Sequence, residues 1–141
     1  MMYRFLSRIV FALFISFSTL AQTVTVKIIE TSDVHGAIFP YDLKENKEIN
    51  SSLARVTTYL KELRADSNQI VFLLDNGDVL QGDPVVYYYN FEKTDTIHLY
   101  ADVMNFMKYD AGTVGNHDIE TGHDVYDKFN KEINFPWLAA N

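Results

Sequence analysis

Residues 70–78 read Ile70-Val71-Phe72-Leu73-Leu74-Asp75-Asn76-Gly77-Asp78, and this stretch decides the fold. Its first half is a continuous apolar run, as expected of a strand buried on both faces of a parallel sheet. Its second half is polar or glycine, so the strand must end in a loop carrying two carboxylates. Upstream, Val24-Thr25-Val26-Lys27-Ile28-Ile29 is β-branched, is bounded by Thr31-Ser32-Asp33, and reads as another strand. Between the two, Leu53, Val56, Leu60 and Leu63 fall at i, i+3, i+7 and i+10 with Lys61, Glu62 and Arg64 opposite, which predicts a helix over 51–66. Downstream, 84–90 is expected to open a helical turn, 98–108 a helix, 111–114 a weak strand, 121–133 a helix and 136–140 a last short strand. The order βαβαβαβ predicts an α/β fold with a mostly parallel sheet and helices on its faces.

Composition bounds the function. The chain has 141 residues, 48% hydrophobic and 22% charged, with no repeats and no linker composition, consistent with one soluble globular unit. The net charge is −7 and no basic patch is present, which excludes the electrostatic footprint of a nucleic-acid polymer binder. Cysteine is absent, so disulfides, thiolate metal sites and thiol nucleophiles are excluded. Residues 1–21 carry Arg4 and Arg8, then the short apolar run Ile9–Leu20, then Ala21, the pattern of a secretory signal peptide. The run is shorter than the roughly 20 apolar residues of a spanning helix, so no membrane anchor is expected after cleavage. The mature chain is expected to be 22–141, exported to a periplasm, with 10 basic residues against 19 acidic ones.

Three polar clusters directly follow three of the expected strands: Asp33-Val34-His35-Gly36, Asp75-Asn76-Gly77-Asp78 and Gly115-Asn116-His117-Asp118. In an open parallel sheet the carboxyl ends of the strands share one edge, where ligands bind, so the clusters should converge. Carboxylate, imidazole and amide oxygen suit Mn, Zn, Fe or Mg. In Asp33-Val34-His35 the period of two points both side chains the same way, and a carboxylate such as Asp78 can bridge two ions about 3.5–4 Å apart. Asp33, Asp75, Asp78, Asp83 and Asp118 together would repel phosphate unless bound cations invert the local charge.

The segments TSDVHG (31–36), LDNGDVLQGDP (74–84) and GNHDIETG (115–122), in this order and spacing, resemble the calcineurin-like metallophosphoesterases. Among them the chain resembles the exported 5'-nucleotidase and 2',3'-cyclic-nucleotide 2'-phosphodiesterase family. The resemblance implies two divalent ions, with Asp33 and His35 on one, Asp78 bridging and Asn116 on the second. It implies that His117 is the catalytic histidine, acting with Glu120, and that the substrate is a small-molecule nucleotide hydrolysed at a phosphoester bond. The family usually reads Gly-Asn-His-Glu, then an aromatic, then Asp or Asn, whereas here the run is Gly115-Asn116-His117-Asp118-Ile119-Glu120. The family's downstream Gly-His-x-His element falls beyond Asn141. The chain is therefore expected to be the N-terminal half of the sandwich, with 22–141 a partial domain lacking the C-terminal half and a nucleotide-binding domain.

Each residue also has a plainer reading. Asp33 and Asp78 could serve only as turn formers, and Asp75 is expected to brace its loop rather than ligate. His98 and His123 are expected at the surface, Tyr87–Phe91 to pack, and 44–48 to be a solvated loop. Glu120 is divided between catalysis and helix-start electrostatics. The competing reading of the whole is a non-catalytic exported α/β domain that binds metal or ligand. Oligomeric state stays open.

Overall fold

The computed structural model describes residues 23–43 and 45–139; the signal peptide expected over 1–21 and Ala140 lie outside them. The elements are β1 (Thr25–Thr31), β2 (Tyr41–Asp42), β3 (Lys47–Glu48), α1 (Leu53–Arg64), β4 (Gln69–Asp75), α2 (Pro84–Tyr87), a π-helical turn (Tyr88–Glu92), α3 (Leu99–Met107), β5 (Ala111–Thr113), α4 (Asn116–Glu120), α5 (His123–Glu132) and β6 (Trp137–Leu138). Strands β1, β4, β5 and β6 lie side by side in that order and all pair in parallel, as the βαβαβαβ pattern predicts. Strands β2 and β3 form a separate antiparallel pair, with β3 inside the 44–48 segment read as a solvated loop, of which 45–48 are exposed. Among the described residues no helix is long and apolar enough to cross a membrane.

Local chemistry explains the boundaries. Ser52 caps α1 by accepting the Arg55 N–H at 3.3 Å, and Leu53 and Leu60 of the predicted stripe are buried. At the far end Arg64 donates to the carbonyls of Met107 at 2.6 Å and Lys108 at 3.0 Å. Those carbonyls end α3, where Lys108 turns left-handed, so a cation sits at the negative end of the helix.

Four expectations fail, each for a physical reason. Strand β4 is covered on one face only: Leu73 is fully buried, while Ile70 and Phe72 are 49% and 42% exposed. Val26 and Ile28 of β1 pair with them in register and share that open face, so the described helices cover only one side of the sheet. The helix expected from Thr121 starts at His123, because Gly122 turns to φ 87 and separates α4 from α5. Glu120 therefore closes a short helix and cannot act as a helix-start charge.

The third failure is His98, which is 2% exposed. Its Nδ1 accepts the Tyr100 N–H at 3.1 Å, so Nε2 carries the proton and donates to Asn90 Oδ1 at 2.9 Å. Burial depresses its pKa to about 4. The fourth is the aromatic run, which packs only in part. Tyr89 is half-buried with its ring centroid 5.7 Å from that of His98, but Tyr87, Tyr88 and Phe91 are exposed, and the buried residue is Asn90, whose amide donates to Leu80 O at 2.7 Å. A buried carbonyl in need of a donor outweighs the burial of rings that can face water. His123 is exposed, as expected.

Candidate functional site

Because β1, β4 and β5 run in parallel, the loops after Thr31, Asp75 and Thr113 emerge at one sheet edge. The first two loops are knitted together: Asp33 N–H donates to Gly77 O at 3.1 Å and His35 N–H to Asp78 O at 3.0 Å. This brings one ligand atom each of Asp33, His35 and Asp78 within 4.8 Å of one another. All three residues have left-handed backbone, with φ of 52°, 49° and 61°. Asp and His are among the few side chains with tolerance for that region, and residues held there cluster at functional sites.

The histidines are oriented by their neighbours. His35 Nδ1 lies 2.9 Å from Gln81 O, and a carbonyl only accepts, so Nδ1 carries the proton and Nε2 keeps its lone pair. Ser32 donates its hydroxyl to Asp33 Oδ2. The His117 N–H donates to Asp78 Oδ1 at 2.8 Å, and its ring centroid is 5.4 Å from that of His35. His117 Nδ1 meets Glu120 Oε2 at 2.9 Å, and Glu120 also accepts from the Gln81 side-chain amide at 3.2 Å. The bond to Glu120 raises the His117 pKa above its ordinary value and lowers that of Glu120. Asn116 is the exposed first residue of α4, between Gly115 and His117.

Asp75 stands apart from this cluster, as expected of a brace. It is buried, accepts Thr31 Oγ1–H at 2.9 Å and Gly77 N–H at 3.0 Å, and Tyr109 hydroxyl donates in turn to Thr31 at 2.9 Å. Burial pushes its pKa up to about 7.

Two residues have roles that the sequence does not assign. Asp118 is fully buried, and its carboxylate accepts four backbone N–H groups, from Asp78, Val79, Leu80 and Gly115. A carboxylate three residues beyond a helix cap was a usable signal, since it can reach back to the cap's own N–H, one half of a capping box. Gln81 offers its carbonyl to His35 and its side chain to Glu120; it lies within the 74–84 motif, which gives it no role of its own. The Gly77 and Gly115 backbones touch: a Cβ on Gly115 would lie 2.1 Å from Asp78 Oδ1, and one on Gly77 would lie 2.5 Å from Gly115 N.

The donor set suits a divalent ion. Two carboxylates and an imidazole of fixed tautomer, converging from two loops, are hard-to-borderline ligands with no thiolate among them.

Residues 26–141 match the calcineurin-like phosphoesterase family, and the chain belongs to it. It is 38% identical to the trifunctional nucleotide phosphoesterase protein YfkN of Bacillus subtilis, over 86% of this chain and 9% of that protein. In the crystal structure of calcineurin-like phosphoesterase YfkN the likeness covers 84% of this chain and 37% of that one, with 36% identity and a TM-score of 0.74. The 2',3'-cyclic-nucleotide 2'-phosphodiesterase/3'-nucleotidase of Yersinia enterocolitica is 32% identical over 86% of this chain and 19% of its own length. The 5'-nucleotidase of Bos taurus is 33% identical over 86% of this chain and 21% of its own length. The chain thus spans about a fifth or less of the curated relatives' length and 37% of the YfkN crystal structure.

Proposed function

We propose that this protein hydrolyses phosphoester bonds of nucleotides with the help of divalent metal ions, as an exported enzyme. The observation that carries the reading is the convergence of Asp33, His35 and Asp78 beside His117 at the carboxyl edge of a parallel sheet. The family match and the nucleotide phosphoesterase names of the relatives support the reaction and substrate class.

Asp33, His35 and Asp78 would hold one ion, and Asp78 with Asn116 a second. When bound, such ions supply positive charge for the phosphoryl oxygens and lower the pKa of water from 15.7 towards about 7. The protein's own groups then do the rest. His35 keeps Nε2 aimed as a ligand because Gln81 O holds the proton of Nδ1. His117, with Nδ1 held by Glu120, has Nε2 left to hydrogen-bond a phosphoryl oxygen and to protonate the departing alcohol oxygen as the ester bond breaks. Glu120 favours the imidazolium form needed for that donation. Without cations the acidic loops repel phosphate, so the same residues make the site metal-dependent.

Purified full-length protein supplied with Mn²⁺ should release product from 2',3'-cyclic AMP or from AMP, and Asp78→Asn should abolish release. Absence of turnover on both substrates across Mn²⁺, Zn²⁺ and Mg²⁺ would favour the non-catalytic reading.

A further inference from the structure

We propose that Asp118 is a positioning residue: its buried carboxylate sets the spacing of the two metal-binding loops before any ion arrives. The inference rests on the reading that Asp78 and Asn116 bind metal, and adds how the loops that carry them are held together. Oδ2 of Asp118 accepts from Asp78 N at 2.9 Å and from Gly115 N at 2.8 Å, while Oδ1 accepts from Val79 N at 2.8 Å and Leu80 N at 2.9 Å. A carboxylate has about four lone-pair sites, and here all four are filled by backbone donors. That saturation is what allows the group to sit fully buried, since an unsatisfied buried charge is strongly disfavoured.

The donors come from two places. Three are consecutive residues after β4, beginning with Asp78 itself, and the fourth precedes Asn116 after β5. The carboxylate belongs to α4, the helix that also carries Asn116, His117 and Glu120. One side chain therefore fixes the left-handed turn at Asp78 and the approach of the second loop to it. Outer partners that orient ligands are worth about 10- to 100-fold in metal affinity.

The test is made on the full chain, first without metal. Amide hydrogen exchange should be slow at Asp78, Val79, Leu80 and Gly115 in wild type and fast in Asp118→Asn, whose NH₂ faces two N–H groups. Mn²⁺ titration should then show a roughly 10- to 100-fold weaker Kd for Asp118→Asn, with Asp118→Glu recovering part of it because the carboxylate returns. Val125→Ala, a core truncation in α5, controls for lost stability alone and should bind Mn²⁺ as wild type does. Fast exchange of the four amides in wild type overturns the proposal. So does wild-type affinity in Asp118→Asn when Asp78→Asn has lost its metal. If Asp78→Asn itself binds Mn²⁺ normally, the metal role of Asp78 falls, and the positioning role falls with it, whereas slow amides would still establish the clasp as purely structural.

Discussion

Asp78 and Asp118 hold each other's loops: Asp78 Oδ1 accepts the N–H of His117, and Asp118 Oδ2 accepts the N–H of Asp78. Each carboxylate is thus bonded to the backbone of the segment that carries the other's neighbours. The sheet edge is built as a closed unit rather than as three independent loops, and damage to one loop should be felt in the next.

Gly115→Ala tests that closure. A methyl group there would lie 2.1 Å from Asp78 Oδ1 and 2.5 Å from Asp78 N, so the loops must part. Overpacking of this kind typically costs about 1–3 kcal/mol. Calorimetry should show a lowered Tm, and Mn²⁺ titration a weaker site; a variant equal to wild type in both would mean the loops slide freely.

Glu120→Gln should lower the His117 pKa, because the bond from Glu120 is the largest influence raising it. Proton NMR titration of the metal-free protein reads this directly. In the active enzyme the same change should depress kcat by roughly 10- to 100-fold, less than loss of His117 itself, since general acid–base catalysis contributes about 10²–10⁴. Gln81→Ala, which removes the second donor to Glu120, should raise the Glu120 pKa, because that bond helps to hold it down. An unmoved His117 titration in Glu120→Gln would remove Glu120 from the pair.

Asp75 and His98 give opposed pH dependences in metal-free protein. Asp75 titrates near 3.8 when unfolded and at about 7 when folded, so its contribution is present below 3.8 and is lost as pH rises towards 7. His98 titrates near 6.5 unfolded and at about 4 folded; its folded form must be neutral, so stability is lost as pH falls from 6.5 to 4. At about 1.4 kcal/mol per pH unit each, the two slopes oppose one another between roughly pH 4 and 6.5. Asp75→Asn should leave the His98 slope uncompensated, so urea-derived stability rises more steeply with pH than in wild type. Parallel curves for the two proteins would contradict the buried-acid assignment.

The open sheet face is the fourth case. Val26, Ile28, Ile70 and Phe72 present a contiguous apolar surface, and such surfaces mediate association. This chain, expressed as it stands, should self-associate at micromolar concentration in sedimentation, and Ile28→Lys with Phe72→Lys should shift it towards monomer. An association unaffected by that pair would have to use another surface.

The sequence made some of this readable and hid the rest for identifiable reasons. The run from Ile70 to Leu74 and the stripe from Leu53 to Leu63 located β4 and α1, because apolar period reports local geometry. Three polar clusters after three strands announced the shared edge, because parallel pairing leaves no other place for them. Period does not report which face of a strand finds a partner, so the exposure of Phe72 was hidden. Nor could it foresee that Asn90 turns inward to meet His98 and Leu80 while Tyr87, Tyr88 and Phe91 stay exposed. At Asp118 the motif was visible but its acid was read as one more charge, because its four donors are backbone groups and backbone leaves no mark on composition. Gly122 was visible too, yet its break at φ 87 depends on a backbone choice that glycine permits without announcing.

The left-handed backbone at Asp33, His35 and Asp78 has a bearing on how this edge tolerates mutation. Metal chemistry admits Asp, Glu, His and Asn at such positions; φ near +50° to +60° favours Gly, Asn, Asp and His. The overlap leaves out Glu and retains Asn, so two unrelated filters select nearly one alphabet. A variant library sorted for folding alone, with no metal and no substrate present, would still be enriched in Asp, Asn, His and Gly at these three sites. Alanine is therefore the wrong probe there, because it removes the ligand and strains the turn together, whereas Asp→Asn changes the chemistry and leaves the chain's path intact.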